Sequence, residues 1–241
     1  MGKPIRLDKL LASAGYGSRK DIKKMVREGG VTVNGAVVKD SSAHVSPEKD
    51  IVTVNEIQVF YKEFVYLVMN KPQGYISATS DPREQTVIDL VPEEYRHYEL
   101  FPVGRLDKDT EGLLLLTNDG RLAHDLLAPK KHVPKTYFVR VEGDVREKQV
   151  KAFAQGVTLD DGYKTKPAVM KVLVSGPVSE VELTIVEGKF HQVKRMFNAV
   201  RMDVVFLKRV AMGGLSLDPL LKTGETRELK EEELILLKTI G

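Results

Sequence analysis

The residues best suited to chemistry lie in one stretch, Gly104–Gly120. There Arg105, Asp107, Lys108, Asp109 and Glu111 crowd together and then give way to Leu113-Leu114-Leu115-Leu116. A solvated loop has no need of the leucines, and a buried strand has no need of the charges. Together they describe a carboxylate carried to a pocket on a buried β scaffold, with Asp107 at its centre. Such a carboxylate can attack carbon or take a proton, provided a cation offsets the cost of its desolvation. The rest of the chain then has to position that aspartate and bring it a substrate.

Several other chemistries find no footing. The chain has no cysteine, which removes disulfides, thiolate metal sites and cysteine nucleophiles together. Its histidines (His44, His97, His124, His132 and His191) show no His-Glu-x-x-His spacing, and there is no Gly-x-Ser-x-Gly elbow or Gly-x-x-x-x-Gly-Lys-Ser/Thr loop. One rival reading fits better. Asp107-Lys108-Asp109-Thr110 matches the Asp-x-Asp-x-Thr of magnesium-dependent aspartyl-phosphate phosphatases. That motif opens a parallel sheet near the N-terminus, whereas here it sits mid-chain and leads into a Glu-Gly-Leu strand. Magnesium dependence separates the two readings.

Charge points to the substrate. The 241 residues carry a net charge of only +3, but residues 1–30 hold eight Lys/Arg against three Asp/Glu, and residues 189–209 hold six against one. Two separate basic segments in a near-neutral chain suggest the footprint of a polyanion. No apolar run approaches a membrane span, and Met-Gly-Lys-Pro-Ile-Arg-Leu-Asp lacks the apolar core of a secretory signal. The expectation is a soluble cytoplasmic protein, monomeric by default and without a membrane partner.

The elements follow from periodicity. Residues 5–14 read as a helix with Leu7, Leu10, Leu11 and Ala14 on one face. Ser18 caps a second helix, with Asp21 as its capping-box partner. Ile22, Met25 and Val26 form its core side, while Arg19, Lys23 and Arg27 make a basic row flanked by Lys20 and Lys24. Val31–Val38 is a hairpin on an Asn-Gly turn, and residues 51–54 and 57–59 are short strands that close a first domain near residue 60.

Beyond residue 60, strands are expected at 65–69, 100–103, 113–116, 136–141, 168–174, 181–186 and 204–210. Helices are expected after Asp119-Gly120 with Leu122, Leu126 and Leu127 inward, at 146–155, after Phe190, and at 231–238. The helix after Phe190 should hold Val193, Met196, Phe197 and Val200 inward, with Lys194, Arg195 and Arg201 outward. Many strands with few helices between them give an α+β fold.

Two resemblances then bear on function. Arg6-Leu7-Asp8-Lys9-Leu10-Leu11, Gly17-Ser18-Arg19 and Val31-Thr32-Val33-Asn34-Gly35 resemble the S4 RNA-binding module. The whole stretch Gly104–Gly120, with Asn70-Lys71-Pro72-x-Gly74 upstream and Glu187-Gly188-Lys189-Phe190-His191-Gln192-Val193-Lys194-Arg195-Met196-Phe197 downstream, resembles the rRNA pseudouridine synthases. With the S4-like front end, the resemblance is to the branch that contains the small-subunit enzyme. It implies an S4-like domain over residues 1–60 and, over 61–241, a catalytic domain with a mainly antiparallel mixed sheet flanked by helices.

The resemblance also implies an activity: isomerisation of one rRNA uridine to pseudouridine without cofactor or metal. The expected target is uridine 516 of 16S rRNA, in naked RNA or an assembling small subunit. Asp107 would be the reacting carboxylate, attacking base or ribose or acting as a base. Lys194 would be its cationic partner, and Tyr137 the ring that stacks on the target base and assists proton removal at C5. Arg105 would fill the gap left by the flipped nucleotide, while Lys108, Asp109 and Glu111 fix the loop. Arg19, Lys20, Lys23, Lys24 and Arg27 would contact the RNA backbone. A 23S rRNA synthase of the same chemistry and a non-catalytic rRNA-binding protein are the alternatives.

Overall fold

The computed structural model describes residues 3–239 and divides into two compact units. Met1 and Gly2 of the N-terminal segment read above therefore lie outside the described residues. One unit comprises the chain up to Val65 together with Glu93–Glu99, and the other holds Tyr66–Pro92 and the chain from Leu100 onward.

The first unit begins with a two-residue strand, β1 (Ile5–Arg6), and not with helix. α1 (Leu7–Ser13) follows, burying Leu7, Leu10 and Leu11, so the expected helix starts two residues later. Arg6 and Ile5 are instead drawn into pairing with β4 (His44–Val45). α2 (Arg19–Glu28) starts at a complete capping box, in which the Ser18 side chain accepts from the Asp21 backbone while Asp21 accepts from the Ser18 backbone. It ends on Gly29 in the left-handed region. Ile22 and Val26 are buried, while Arg19, Lys20, Lys23, Lys24 and Arg27 are all exposed.

β2 (Val31–Val33) and β3 (Ala36–Val37) form the hairpin, with Asn34 at φ 53° and Gly35 at φ 81°. Two successive positive φ angles define the turn whose twist matches the strands. β5 (Val52–Val54) and β6 (Ile57–Gln58) complete a four-stranded sheet in the order β3-β2-β5-β6.

The second unit is built on a large sheet. Its strands are β7 (Tyr66–Lys71), β8 (Phe101–Pro102), β9 (Glu111–Thr117), β10 (Lys135–Glu142), β11 (Val169–Val174), β12 (Val178–Ile185), β13 (Val204–Met212), β14 (Leu215–Ser216) and β15 (Thr226–Glu228). The order is β11-β12-β10-β13-β9-β7-β15, with β14 on β13 and β8 on β9. Pairing is antiparallel except between β13 and β9, which run parallel. The fold is thus α+β around a mainly antiparallel mixed sheet.

The leucine run is the centre of β9. Leu113 and Leu115 pack with Val68, Leu122, Ala123, Leu126 and Leu237, and Leu114 and Leu116 on the other face are equally buried. Burial on both faces is why the run is continuous and not alternating.

α3 (Gly120–Leu127) is capped by Asp119, α4 (Glu147–Gln155) packs on β11, and α5 (Gln192–Ala199) and α6 (Glu231–Lys238) complete the set. Leu127 is 42% exposed, contrary to the core role expected of it, and the core side of α3 is Leu122, Ala123 and Leu126. No helix among the described residues is long and apolar enough to cross a membrane.

Candidate active site

The loop from Gly104 to Thr110 is held by its backbone, leaving its side chains free for other work. Lys71, fully buried at the end of β7, donates from Nζ to the carbonyls of Thr110 (2.9 Å), Pro72 (3.0 Å) and Asp107 (3.1 Å). Burial pushes its pKa down to about 8, while the charges of Asp107, Asp109 and Glu111 pull the other way. Ser77 braces Leu106 twice, donating from Oγ to its carbonyl at 2.9 Å and accepting from its amide at 3.0 Å. The Gly74 amide donates to the Lys108 carbonyl at 2.8 Å, and the Thr110 amide closes the loop on the Asp107 carbonyl at 3.0 Å.

Immediately after the loop, Gly112 faces Arg209 across the parallel β9–β13 pairing at φ 104°. A Cβ there would stand 2.2 Å from the Arg209 carbonyl oxygen, so only glycine allows β13 this close.

The Asp107 side chain, about a quarter exposed, meets two cation-capable groups at the start of α5. Lys194 Nζ lies 3.4 Å from Oδ2, and His191 Nε2 lies 3.5 Å from Oδ1. Lys194 is closer still to Asp109, at 2.5 Å. Burial raises the Asp109 pKa, but the Lys194 hydrogen bond and charge outweigh it and hold the carboxyl below its usual value. Lys194 thus bridges two carboxylates, which is a loop-fixing task as well as a charge partnership.

The expectation that Lys194 and Arg195 face outward fails. Their side chains are only 22% and 17% exposed, because Lys194 turns to Asp107 and Asp109 while Arg195 is clamped by Asp160 and Asp161. Hydrophobic periodicity separates apolar from polar positions, but it says nothing about a polar side chain that finds an acid.

Gln192 anchors this segment. Its Oε1 accepts from the Lys189 amide at 2.8 Å and its Nε2 donates to Glu187 at 2.6 Å. Glu187 in turn accepts from the Tyr163 hydroxyl at 2.8 Å and the Lys166 amide at 3.0 Å. The Glu-Gly-Lys-Phe-His-Gln block is therefore a hydrogen-bonded bracket that sets where α5 begins.

A cavity of about 310 Å³ opens beside the loop. Asp107, Arg105, Tyr137 and His191 all line it. Tyr137 is 8% exposed on β10, and Arg105 is exposed. Lys108 turns away to pair with Glu84 at 2.5 Å. Residue type and spacing alone do not assign His191, Lys71, Lys135 or Arg209 to the site. His191 and Lys71 lie inside the quoted motif blocks, while Lys135 falls one residue before the strand expected at 136–141 and Arg209 falls on the strand expected at 204–210, outside any motif block. Arg19, Lys20, Lys23, Lys24 and Arg27 belong to the first unit, all exposed on α2. Among the described residues no group of three or more His, Asp or Glu side chains is gathered as a metal would require.

A carboxylate with a cationic escort, on a braced loop beside a pocket lined by a buried tyrosine, is an arrangement suited to covalent or acid–base chemistry. Residues 65–199 match the RNA pseudouridylate synthase family and residues 5–52 match the S4 domain. The chain belongs to the RNA pseudouridylate synthases and carries an S4 domain ahead of the catalytic fold.

Among individual relatives, it is 55% identical over 234 residues to an RNA pseudouridine synthase of Bacillus subtilis (strain 168), YtzG, covering 97% of this chain and 98% of the other. It is 40% identical over 231 residues to ribosomal small subunit pseudouridine synthase A of Escherichia coli (strain K12), covering 95% and 98%. A solved structure described as a pseudouridylate synthase superposes with a TM-score of 0.68 at 37% identity, covering 97% of this chain and 99% of that one.

Proposed function

We propose that this enzyme converts one uridine of ribosomal RNA to pseudouridine, with small-subunit RNA as substrate, uridine 516 of 16S rRNA as the position and Asp107 as the reacting group. The observation that carries the reading is the Asp107 carboxylate lining a cavity of about 310 Å³, with Lys194 at 3.4 Å and His191 at 3.5 Å. The likeness over the full chain to the Escherichia coli small-subunit synthase supports the choice of RNA.

The reaction breaks the bond from ribose C1′ to N1 and forms one from C1′ to C5. The C5 proton leaves and N1 gains one, so atoms and oxidation state are unchanged. Lys194, 3.4 Å from the Asp107 carboxylate, offsets its charge as the base displaces water. Tyr137 stacks on the flipped base and assists loss of the C5 proton, and Arg105, exposed at the cavity wall, occupies the gap in the stack. The exposed row on α2 holds the RNA by its phosphates.

The test is to incubate the protein with unmodified 16S rRNA, unmodified 23S rRNA and an assembling small subunit, then map new pseudouridines. Product at one 16S position is expected. No product on any substrate overturns the enzymatic reading, and product on 23S rRNA alone overturns the choice of substrate.

A further inference from the structure

Two cations in the cavity wall have no use in the scheme above. Arg209, on β13, is 2% exposed and lines the cavity. Its Nε donates to the Leu113 carbonyl at 2.8 Å, but its Nη2 is buried and has no hydrogen-bond partner. Lys135, on β10 two residues before Tyr137, lines the same cavity, and its Nζ donates to the Val133 carbonyl at 2.9 Å. Burial, and then the charge of Arg209, pushes the Lys135 pKa down to about 8. Among the described residues neither side chain forms an ion pair with a carboxylate, in contrast to Lys194 and Arg195 on α5. Two like charges beside each other in a desolvated wall, one with an idle donor, are unfavourable until an electron-rich atom arrives between them.

We propose that Lys135 and Arg209 form an oxyanion subsite for the exocyclic O4 carbonyl of the flipped uracil. The inference rests on the isomerase reading and deepens it. O4 is the atom that gains negative charge on every route open to Asp107. If the carboxylate attacks C6 of the base, the electron pair of the C5–C6 double bond moves through C4 and leaves an enolate on O4. If it attacks C1′, or takes a proton from the ribose, the glycosidic pair departs with the base and is shared among N1, O2 and O4. Donors placed for that charge stabilise the transition state more than the neutral base, which is how preorganised cations accelerate a step. The same pair disfavours cytidine, because an amino group at that ring position would turn its hydrogens toward two cations.

Single-turnover rates on 16S rRNA carrying uridine or 4-thiouridine at the modified position, measured for wild type, Lys135→Met and Lys135→Arg, test the subsite. Sulfur is a poorer hydrogen-bond acceptor than oxygen, so the thio substitution mimics loss of the contact from the RNA side. Lys135→Met is expected to slow wild-type turnover about a hundredfold with RNA affinity unchanged, while Lys135→Arg restores most of the rate. The thio substitution should slow wild type but add little to Lys135→Met. Melting temperature and affinity for unmodified 16S rRNA confirm that the variant is folded, and a Lys135→Met protein that does not fold hands the same comparison to Lys135→Gln.

A Lys135→Met rate equal to wild type overturns the subsite, as does a thio effect of full size in both proteins. Coupling of Lys135 to a phosphorothioate at the target phosphate, and not to 4-thiouridine, also overturns it, because the pair would then bind backbone. Failure of the isomerase reading looks different, since wild type itself would make no pseudouridine.

Discussion

The two units use positive charge in opposite ways. On α2, Arg19, Lys20, Lys23, Lys24 and Arg27 are exposed and lie three or four residues apart. Like charges at that spacing weaken the helix by a few tenths of a kcal/mol each (about 0.2–0.5), and the helix is held instead by its capping box and by Ile22 and Val26. In the catalytic unit, Lys71, Lys194 and Arg195 are each committed to named acceptors: Lys71 to carbonyls, the other two to carboxylates. An exposed surface charge suits a polyanion whose phosphates are many and interchangeable, and its worth is read in salt dependence. A reaction centre needs charge that does not move when the substrate arrives, and cations tied down before binding would give the proposed site around Asp107 that property.

Substitutions on each side should separate these roles. Asp107→Asn is expected to have the largest effect, lowering the single-turnover rate by at least about a thousandfold while RNA affinity changes little. Retained activity would remove Asp107 from the chemistry. Lys71→Met comes next. It leaves three buried carbonyls without their donor and should cost about 3 kcal/mol in denaturant unfolding, with activity lost through the loop and not through RNA binding. A variant of normal stability would mean the loop is held by Ser77 and Gly74 alone.

Lys71 also has a pH signature. Its folded pKa, about 8, lies below the ordinary lysine value of 10.5, so between those values the unfolded chain binds more protons than the folded one. Its contribution to stability should therefore rise from pH 8 to about 10.5, and Tm curves of wild type and Lys71→Met should differ in slope across that window. Parallel curves would show that the ammonium is not desolvated.

Smaller effects belong to the first unit. Changing Lys20, Lys23 and Lys24 to Gln should weaken rRNA binding about tenfold and reduce the slope of log affinity against log salt by about 2, with the rate constant on saturating RNA unchanged. An unchanged salt slope would make the row a solvated face only. Ser18→Ala removes the cap of α2 and should cost about 1 kcal/mol of stability without altering chemistry. If it changes the single-turnover rate as well, charge in the first unit has a part in catalysis that this contrast denies.

What could be read from residue order followed how local each determinant was. The Ser18–Asp21 cap, the Asn34-Gly35 turn and the β9 leucines all announce themselves within a few residues, since dihedral preference and burial period act locally. The start of α1 departs from the local periodicity because Arg6 pairs with His44, far along the chain. Glu93–Glu99 gave no sign that it belongs with the first unit: Gly15 packs against His97, a contact between residues with no shared pattern. The end of β7 lies beyond the expected residue 69 for a related reason, since Asn70 and Lys71 look like the polar finish of a strand and are both buried within it.

By itself the sequence singled out Asp107 in its charged loop, and its resemblance to the rRNA pseudouridine synthases added Tyr137 and Lys194 as candidates. Residue type and local spacing limit the chemistry available. Only the tertiary structure decided their escort. It brought His191 to 3.5 Å from the Asp107 carboxylate, threaded Lys71 beneath the loop backbone, and left Arg209, a cavity-lining residue, with a buried Nη2 that has no partner. Those contacts join β7, the β8–β9 loop, β13 and the start of α5, and a distance between separate strands is set by how the whole sheet orders itself, which no short window of sequence contains.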